Sequence, residues 1–183
     1  NLKAVAVRGS GTTQLADPEG FRYLARSDRE IFRNEPFFRD TVSKYGSLIG
    51  VEDWGPGFRN GQKRWTSADV PPALRKDAWK EYEIGHTGCH GCPLRCKNVI
   101  QIPNGPRKGE VGEGLEYEAI HWLGINSGIL DPIAIMEMSN YADQQGMDVI
   151  GLGSVVGFAK ELYEQGIITT DDTGGISLDW EEY

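Results

Sequence analysis

The sequence predicts a mainly α fold: a multihelical domain with a short N-terminal strand belonging to a β domain that this chain lacks. Two observations predict it. Most apolar residues recur at helical spacing inside stretches marked by Asp-Pro starts and glycine stops. The one clear strand, Leu2-Lys3-Ala4-Val5-Ala6-Val7, has no neighbour to pair with, and a lone strand cannot bury itself. Residues 1–16 therefore read as the end of an N-terminal β domain, and residues 17–183 as a helical domain. The chain reads as a fragment of a longer polypeptide.

Asp17-Pro18 opens the first helix, with Asp as cap and Pro in the first turn. Phe21, Leu24, Ala25, Ile31 and Phe32 keep its period, and Pro36 interrupts it. Phe37, Phe38, Val42 and Tyr45 make a second short helix that stops at Gly46. Residues 47–51 fit either helix or strand. Residues 53–66 form a loop anchored by Trp54 and Trp65. A helical region is expected from about Pro72 to Tyr82, with Ala73, Leu74, Ala78 and Trp79 on its apolar side. Val99, Ile100 and Ile102 make a short extended segment, and 103–114 a Gly/Pro-rich loop. Asp131-Pro132 caps a further helix, with Ile133, Ile135 and Met136 inside and Gly146 at its end. The last helix runs from Leu152 to Gln165, with Val155, Val156, Phe158, Ala159 and Leu162 expected in the core and Gly166 as its stop. A turn-rich tail follows at 171–175.

The 183 residues suffice for a core, and 39% hydrophobic with 25% charged residues is an ordinary globular balance. A net charge of −8 and a pI near 4.9 argue against nucleic acid or an anionic membrane surface as partner. No apolar run approaches a membrane span. No signal peptide opens the chain, and reduced-thiol usage fits a cytoplasmic protein.

All three cysteines lie in Gly88-Cys89-His90-Gly91-Cys92-Pro93-Leu94-Arg95-Cys96, spaced C-x2-C-x3-C. An odd number of thiols in so short a loop does not make a disulfide framework. Thiolates in a tight Gly/Pro loop suit a metal centre. A [4Fe-4S] cluster takes one thiolate per iron and uses C-x2-C steps. The competing assignments are zinc, complete as Cys3His if His86 or His90 joins, and three unligated cysteines. Radical enzymes using S-adenosylmethionine usually show the x3 step first, and the order here is reversed. A cluster on three thiolates lacks its fourth ligand, and this chain has no fourth cysteine.

Two acidic segments stand out. In Glu113-Gly114-Leu115-Glu116-Tyr117-Glu118, followed by His121, a helix starting near Leu115 would put Glu118 and His121 on one face, where they could move protons. Acids in a first helical turn are also favoured by the dipole alone. Asp143-Gln144-Gln145-Gly146-Met147-Asp148 sits at a helix C-terminus, where carboxylates are disfavoured. That placement fits acceptors aimed at a donor-rich ligand, or a merely solvated helix end.

Together these segments resemble a central piece of the tungsten-dependent aldehyde:ferredoxin oxidoreductase family. Asn1 to Gly9 is similar to the strand closing its N-terminal β domain. The cysteine loop resembles its [4Fe-4S] loop, Glu116-Tyr117-Glu118 with Leu123-Gly124 its E-Y-E segment, and Asp143-x-x-Gly146-Met147-Asp148 its D-x-x-G-L-D pterin motif. Glu161-Leu162-Tyr163-Glu164-Gln165-Gly166 fits as well. The resemblance implies that Cys89, Cys92 and Cys96 bind the cluster, with the fourth cysteine in a later domain. It implies that Asp143, Met147 and Asp148 contact one of two pterins holding tungsten or molybdenum. It makes Glu118, with His121, the proton-handling groups near the metal. The implied activity is oxidation of an aldehyde to an acid, with electrons leaving through the cluster to ferredoxin or a partner subunit. The parent protein is expected to be an oligomer, and the isolated chain inactive.

Two departures qualify the resemblance. Glu137-x-x-Asn140 replaces the E-x-x-H that holds a metal bridging two subunits, which predicts no bridging iron. His121 stands where those members carry an aromatic residue, which points to a different substrate. The nearest alternative is the branch that reduces aromatic acyl-coenzyme A thioesters. Outside the family, the alternatives are a zinc-binding helical interaction domain and a metal-free helical scaffold.

Overall fold

The computed structural model describes residues 4–180 and 182. The expected strand falls partly on residues 1–3, outside the described residues. Residues 4–10 form no ladder, and Val5 and Val7 are exposed. Helix α1 spans Pro18–Asn34, and the Asp17 carboxylate accepts from the amides of Glu19 (3.2 Å) and Gly20 (2.9 Å). Past Pro36 the chain stays helical as a π-helical turn, Phe37–Val42, and a single α turn, α2 (Ser43–Tyr45). The ambiguous 47–51 stretch is helical: a 3-10 turn, Gly46–Ile49, leads into α3 (Gly50–Asp53).

The loop after α3 contains a minimal hairpin, β1 (Gly57–Phe58) with β2 (Lys63–Arg64), and the Phe58 and Trp65 rings stack at 4.5 Å. The helix expected over 72–82 is instead two 3-10 turns, Pro72–Leu74 and Ala78–Glu81. The reason is local. Trp79 Nε1 donates to the Leu74 carbonyl at 3.0 Å, capturing the acceptor an α-helix would offer to Ala78, whose N–H turns to Arg75 at 2.9 Å.

Next come β3 (Glu83–Thr87), β4 (Lys97–Gln101) and β5 (Val111–Glu113), an antiparallel sheet in the order β3-β4-β5. This is the larger of the two sheets, and it lies between helical segments. Ile100 and Ile102 join Leu48, Val51, Trp65, Leu74, Trp79, Leu115, Ile120, Ile135 and Met136 in one core. The chain then turns through a π-helical segment, Ala119–Gly124, and a 3-10 turn, Ile125–Ser127.

Helix α4 spans Pro132–Gln145, capped by Asp131, whose carboxylate accepts from the Ile133 amide at 2.7 Å. It ends where Gly146 takes φ +67°, a left-handed conformation that glycine adopts without steric cost. The Met147 N–H reaches back to the Ala142 carbonyl at 2.9 Å, as in a Schellman turn. Helix α5 spans Val149–Glu164, three residues earlier at its start than its apolar spacing predicts.

Its buried face also differs from expectation. Val155 (67% exposed) and Phe158 (54%) face outward, while Gly153, Gly157 and Lys160 are buried. Side chains at 153 and 157 would collide with Trp122 and Asn126, so the glycines let α5 lie directly on the π-helical segment. Asn126 Nδ2 seals the contact on the Gly153 carbonyl at 3.2 Å. Among the described residues no helix is long and apolar enough to cross a membrane.

Candidate functional site

The cysteine loop is the tip of the β3–β4 hairpin. Thr87 and Lys97 are register partners, so residues 88–96 leave and re-enter the sheet at one point. The Cys92 N–H donates to the Cys89 carbonyl at 3.0 Å, closing a turn between the first two thiols. Arg95 Nη2 donates to the His86 carbonyl at 3.1 Å across the loop base. Both ring nitrogens of His86 are occupied: Nε2 lies 2.9 Å from Glu83 Oε1, and Nδ1 lies 3.3 Å from the Arg95 carbonyl. His86 is thereby a poor fourth ligand for a Cys3His zinc site.

Cys89 and Cys92 are exposed and Cys96 is half-buried. Burial pushes the Cys96 thiol pKa up, and the Glu116 carboxylate and the other two cysteines push the same way. The loop is pinned from below by Gly46. At φ +58° a Cβ there would sit 2.5 Å from the Cys96 carbonyl oxygen. Among the described residues, no three His, Cys, Asp or Glu side chains are gathered into a single-ion site. A cluster that takes one thiolate per iron holds its cysteines at separate metal corners and does not require such gathering. The donor set, three thiols on one accessible loop, fits that larger group.

Beside the hairpin base lies a cavity of about 360 Å³, lined by Lys97, Glu113, Gly114, Glu116, Ala119, Ser139, Asp143 and Val149. It joins the residue after Cys96 to the last turn of α4. Lys97 Nζ pairs with Glu113 Oε2 at 3.2 Å. Glu116 Oε2 accepts from the Ser47 hydroxyl, whose oxygen accepts from the Tyr117 N–H at 2.8 Å. Burial first, then the Glu113 carboxylate, holds Asp143 above the usual aspartate pKa, with Lys97 opposing.

The site residues named from sequence are placed unequally. Asp143 lines the cavity. Asp148 does not: its Oδ2 accepts from the Gly151 amide at 2.6 Å as the N-cap of α5. Met147 lies at the turn between the two helices, 36% exposed. Glu118 is not among the residues lining the cavity; Glu113 and Glu116 are the glutamates on that wall. Glu113 ends strand β5 and Glu116 lies in the irregular stretch 114–116 after it, before the helical turn begins at Tyr117 and carries Glu118 onward.

Nor do Glu118 and His121 share a simple helical face, because i→i+5 bonding widens the turn. His121 stacks on Trp122 (4.7 Å) and tilts against Tyr117 (5.2 Å). Its Nδ1 is buried without a hydrogen-bond partner. Burial lowers its pKa, and a hydrogen bond to the Gly57 backbone opposes the shift, so the ring favours the neutral form. Glu137 Oε1 accepts the Arg107 N–H at 3.1 Å, and Asn140 is buried against Gly112. Sequence reasoning missed Ser47, Lys97, Glu113 and Glu116 as site residues. Glu113 and Glu116 carried a signal, as members of the first acidic segment, and Glu116 also as part of the E-Y-E segment.

Residues 24–183 match the family described as aldehyde ferredoxin oxidoreductase, domains 2 & 3. The chain is 33% identical to a tungsten-containing aldehyde ferredoxin oxidoreductase of Pyrococcus horikoshii, over 96% of this chain and 29% of the relative. It is 33% identical to the protein of the same name in Pyrococcus furiosus, over 95% and 29%. It is 31% identical to an aliphatic sulfonate oxidoreductase, WOR-like subunit, of Pyrococcus furiosus, over 98% and 29%. The chain thus spans about 29% of the length of these curated relatives.

Proposed function

The chain belongs to the aldehyde ferredoxin oxidoreductase family, and we propose that it forms the cluster-binding and pterin-facing part of a tungsten- or molybdenum-dependent oxidoreductase. The proposed reaction takes an aldehyde and water to a carboxylic acid, releasing two electrons and two protons. The electrons go to ferredoxin or an electron-transfer subunit.

One observation supports this reading above the others. The cavity of about 360 Å³ has on its wall both Lys97, the neighbour of Cys96, and Asp143, the first aspartate of the pterin motif. The two cofactor-holding segments, distant in sequence, meet there.

When bound, the metal–pterin supplies two-electron redox chemistry at the substrate carbon, and the [4Fe-4S] cluster carries electrons one at a time. The chain's residues do the rest. Cys89, Cys92 and Cys96 hold the cluster, the fourth ligand lying outside this chain. Asp143 offers carboxylate oxygens to the N–H-rich pterin edge. Met147 and Asp148 shape the adjoining turn, Asp148 with its Oδ2 already capping α5. Glu118, and the neutral imidazole of His121, accept and release the protons of the reaction.

The test is anaerobic purification of the full-length protein carrying this chain. Iron with acid-labile sulfide, tungsten or molybdenum, and aldehyde-dependent viologen reduction are expected. One zinc per chain without sulfide, or no aldehyde-dependent reduction in metal-loaded protein, overturns the reading.

A further inference from the structure

We propose that Glu116, oriented by Ser47, is a positioning residue that sets the reduction potential of the cluster on Cys89, Cys92 and Cys96 through a fixed negative charge. The inference rests on the cluster assignment above and extends it to a residue with no part in ligation or proton transfer.

The geometry is specific. The segment Gly46–Ser47 is clamped under the cysteine loop, because Gly46 packs so closely on the Cys96 carbonyl that a Cβ would stand 2.5 Å from that oxygen. Ser47 comes next, and its hydroxyl is used twice. It donates to Glu116 Oε2 and accepts from the Tyr117 N–H at 2.8 Å. The carboxylate is thus fixed to the same short segment that supports the third cysteine, and it faces the cavity that begins at Lys97. Lys97, the nearest cation on that wall, already pairs with Glu113 at 3.2 Å.

A cluster that takes up one electron becomes more negative by one charge. A fixed carboxylate nearby disfavours that form and keeps the potential low, so an electron received from the metal–pterin is readily passed on. Hydrogen bonding by Ser47 holds the carboxylate in position without neutralising it.

The experiment is a dye-mediated redox titration of the anaerobic holoenzyme, followed by the electron paramagnetic resonance of the reduced cluster. Glu116→Gln keeps the shape and the Ser47 hydrogen bond but removes the charge. It should move the one-electron equilibrium toward the reduced cluster by about tenfold, equivalent to 59 mV for a one-electron couple. Glu116→Asp keeps the charge and should stay near wild type. An unchanged midpoint in Glu116→Gln, or an equal shift in both variants, overturns the proposal while leaving the cluster signal in place. Absence of any iron–sulfur signal in the wild-type protein would instead remove the cluster assignment itself.

Discussion

Lys160 Nζ donates to the Asp179 carbonyl at 3.0 Å from a side chain that is only 3% exposed. The same ammonium group also donates to the carbonyls of Trp180 (3.1 Å) and Glu182 (2.6 Å), so α5 grips the tail through one buried cation. Burial lowers its pKa, and the Glu182 and Asp179 charges work to keep the proton. Lys160→Met keeps the stem and strips three carbonyls of their donor. We expect a loss of about 2–4 kcal/mol in urea unfolding, with earlier proteolysis of the tail than of α5. Unchanged stability would show that the three bonds merely replace water.

By the resemblance drawn from the sequence, Glu137 and Asn140 would stand where a metal bridges two subunits, and their surroundings oppose such a metal. The Glu137 carboxylate is engaged by the Arg107 amide, and Asn140 is 6% exposed, turned inward against Gly112. The assembled protein should show no anomalous signal at the iron edge beside Glu137. A peak there would refute this.

Helix α4 was legible in the sequence because its limits are local. Asp131 caps, Pro132 starts and Gly146 stops it, and the structure uses all three. The β3–β4 hairpin was not, because Glu83-Ile84-Gly85-His86-Thr87 has one large apolar residue and gains its order from pairing with 97–101, ten residues on. In α5 the apolar side chains were taken for the core face, but helix-on-helix approach is made by Gly153 and Gly157, whose smallness no hydrophobic pattern records. The cysteine loop was legible as a candidate ligand set from its C-x2-C-x3-C spacing, though not as the tip of a hairpin. Its neighbour Glu116 was not assigned a role, since the link to Cys96 runs through Gly46–Ser47, about seventy residues upstream of Glu116.

His121 makes stability depend on pH. Its folded pKa lies below 6.5 because the ring is buried, so the unfolded chain binds the proton more readily. Stability from this group is complete above about 6.5 and is lost as pH falls through the lower folded value. His121→Phe keeps a ring against Tyr117 and Trp122 and removes the titration. The drop in urea midpoint between pH 8 and pH 5.5 should be smaller in the variant than in wild type. Carboxylates such as Asp143 cancel in that comparison, because both proteins carry them. Equal drops would show that the imidazole takes its proton without loosening the fold.

The division of labour between Glu118 and Asp143 is the last test. Asp143 lies on the cavity wall with its pKa raised by burial and by Glu113, and Glu118 stands at the N-terminal edge of the π-helical segment, away from that wall. A ligand whose N–H groups bond Asp143 favours the charged carboxylate, so binding should draw the Asp143 pKa back down. Loss of that acceptor removes a charge-assisted hydrogen bond, and in the full-length enzyme Asp143→Asn should lower bound pterin and tungsten or molybdenum together. Glu118→Gln removes only a proton acceptor, so the metal content should hold while turnover falls about a hundredfold, the usual scale for a lost general base. Iron and sulfide should be unaffected in both, because the cysteine loop is tied down by Arg95, His86 and Gly46 rather than by either acid. Full turnover in Glu118→Gln, or full metal content in Asp143→Asn, would reassign the corresponding role, with Glu116 and Glu113 the carboxylates next in line on that wall.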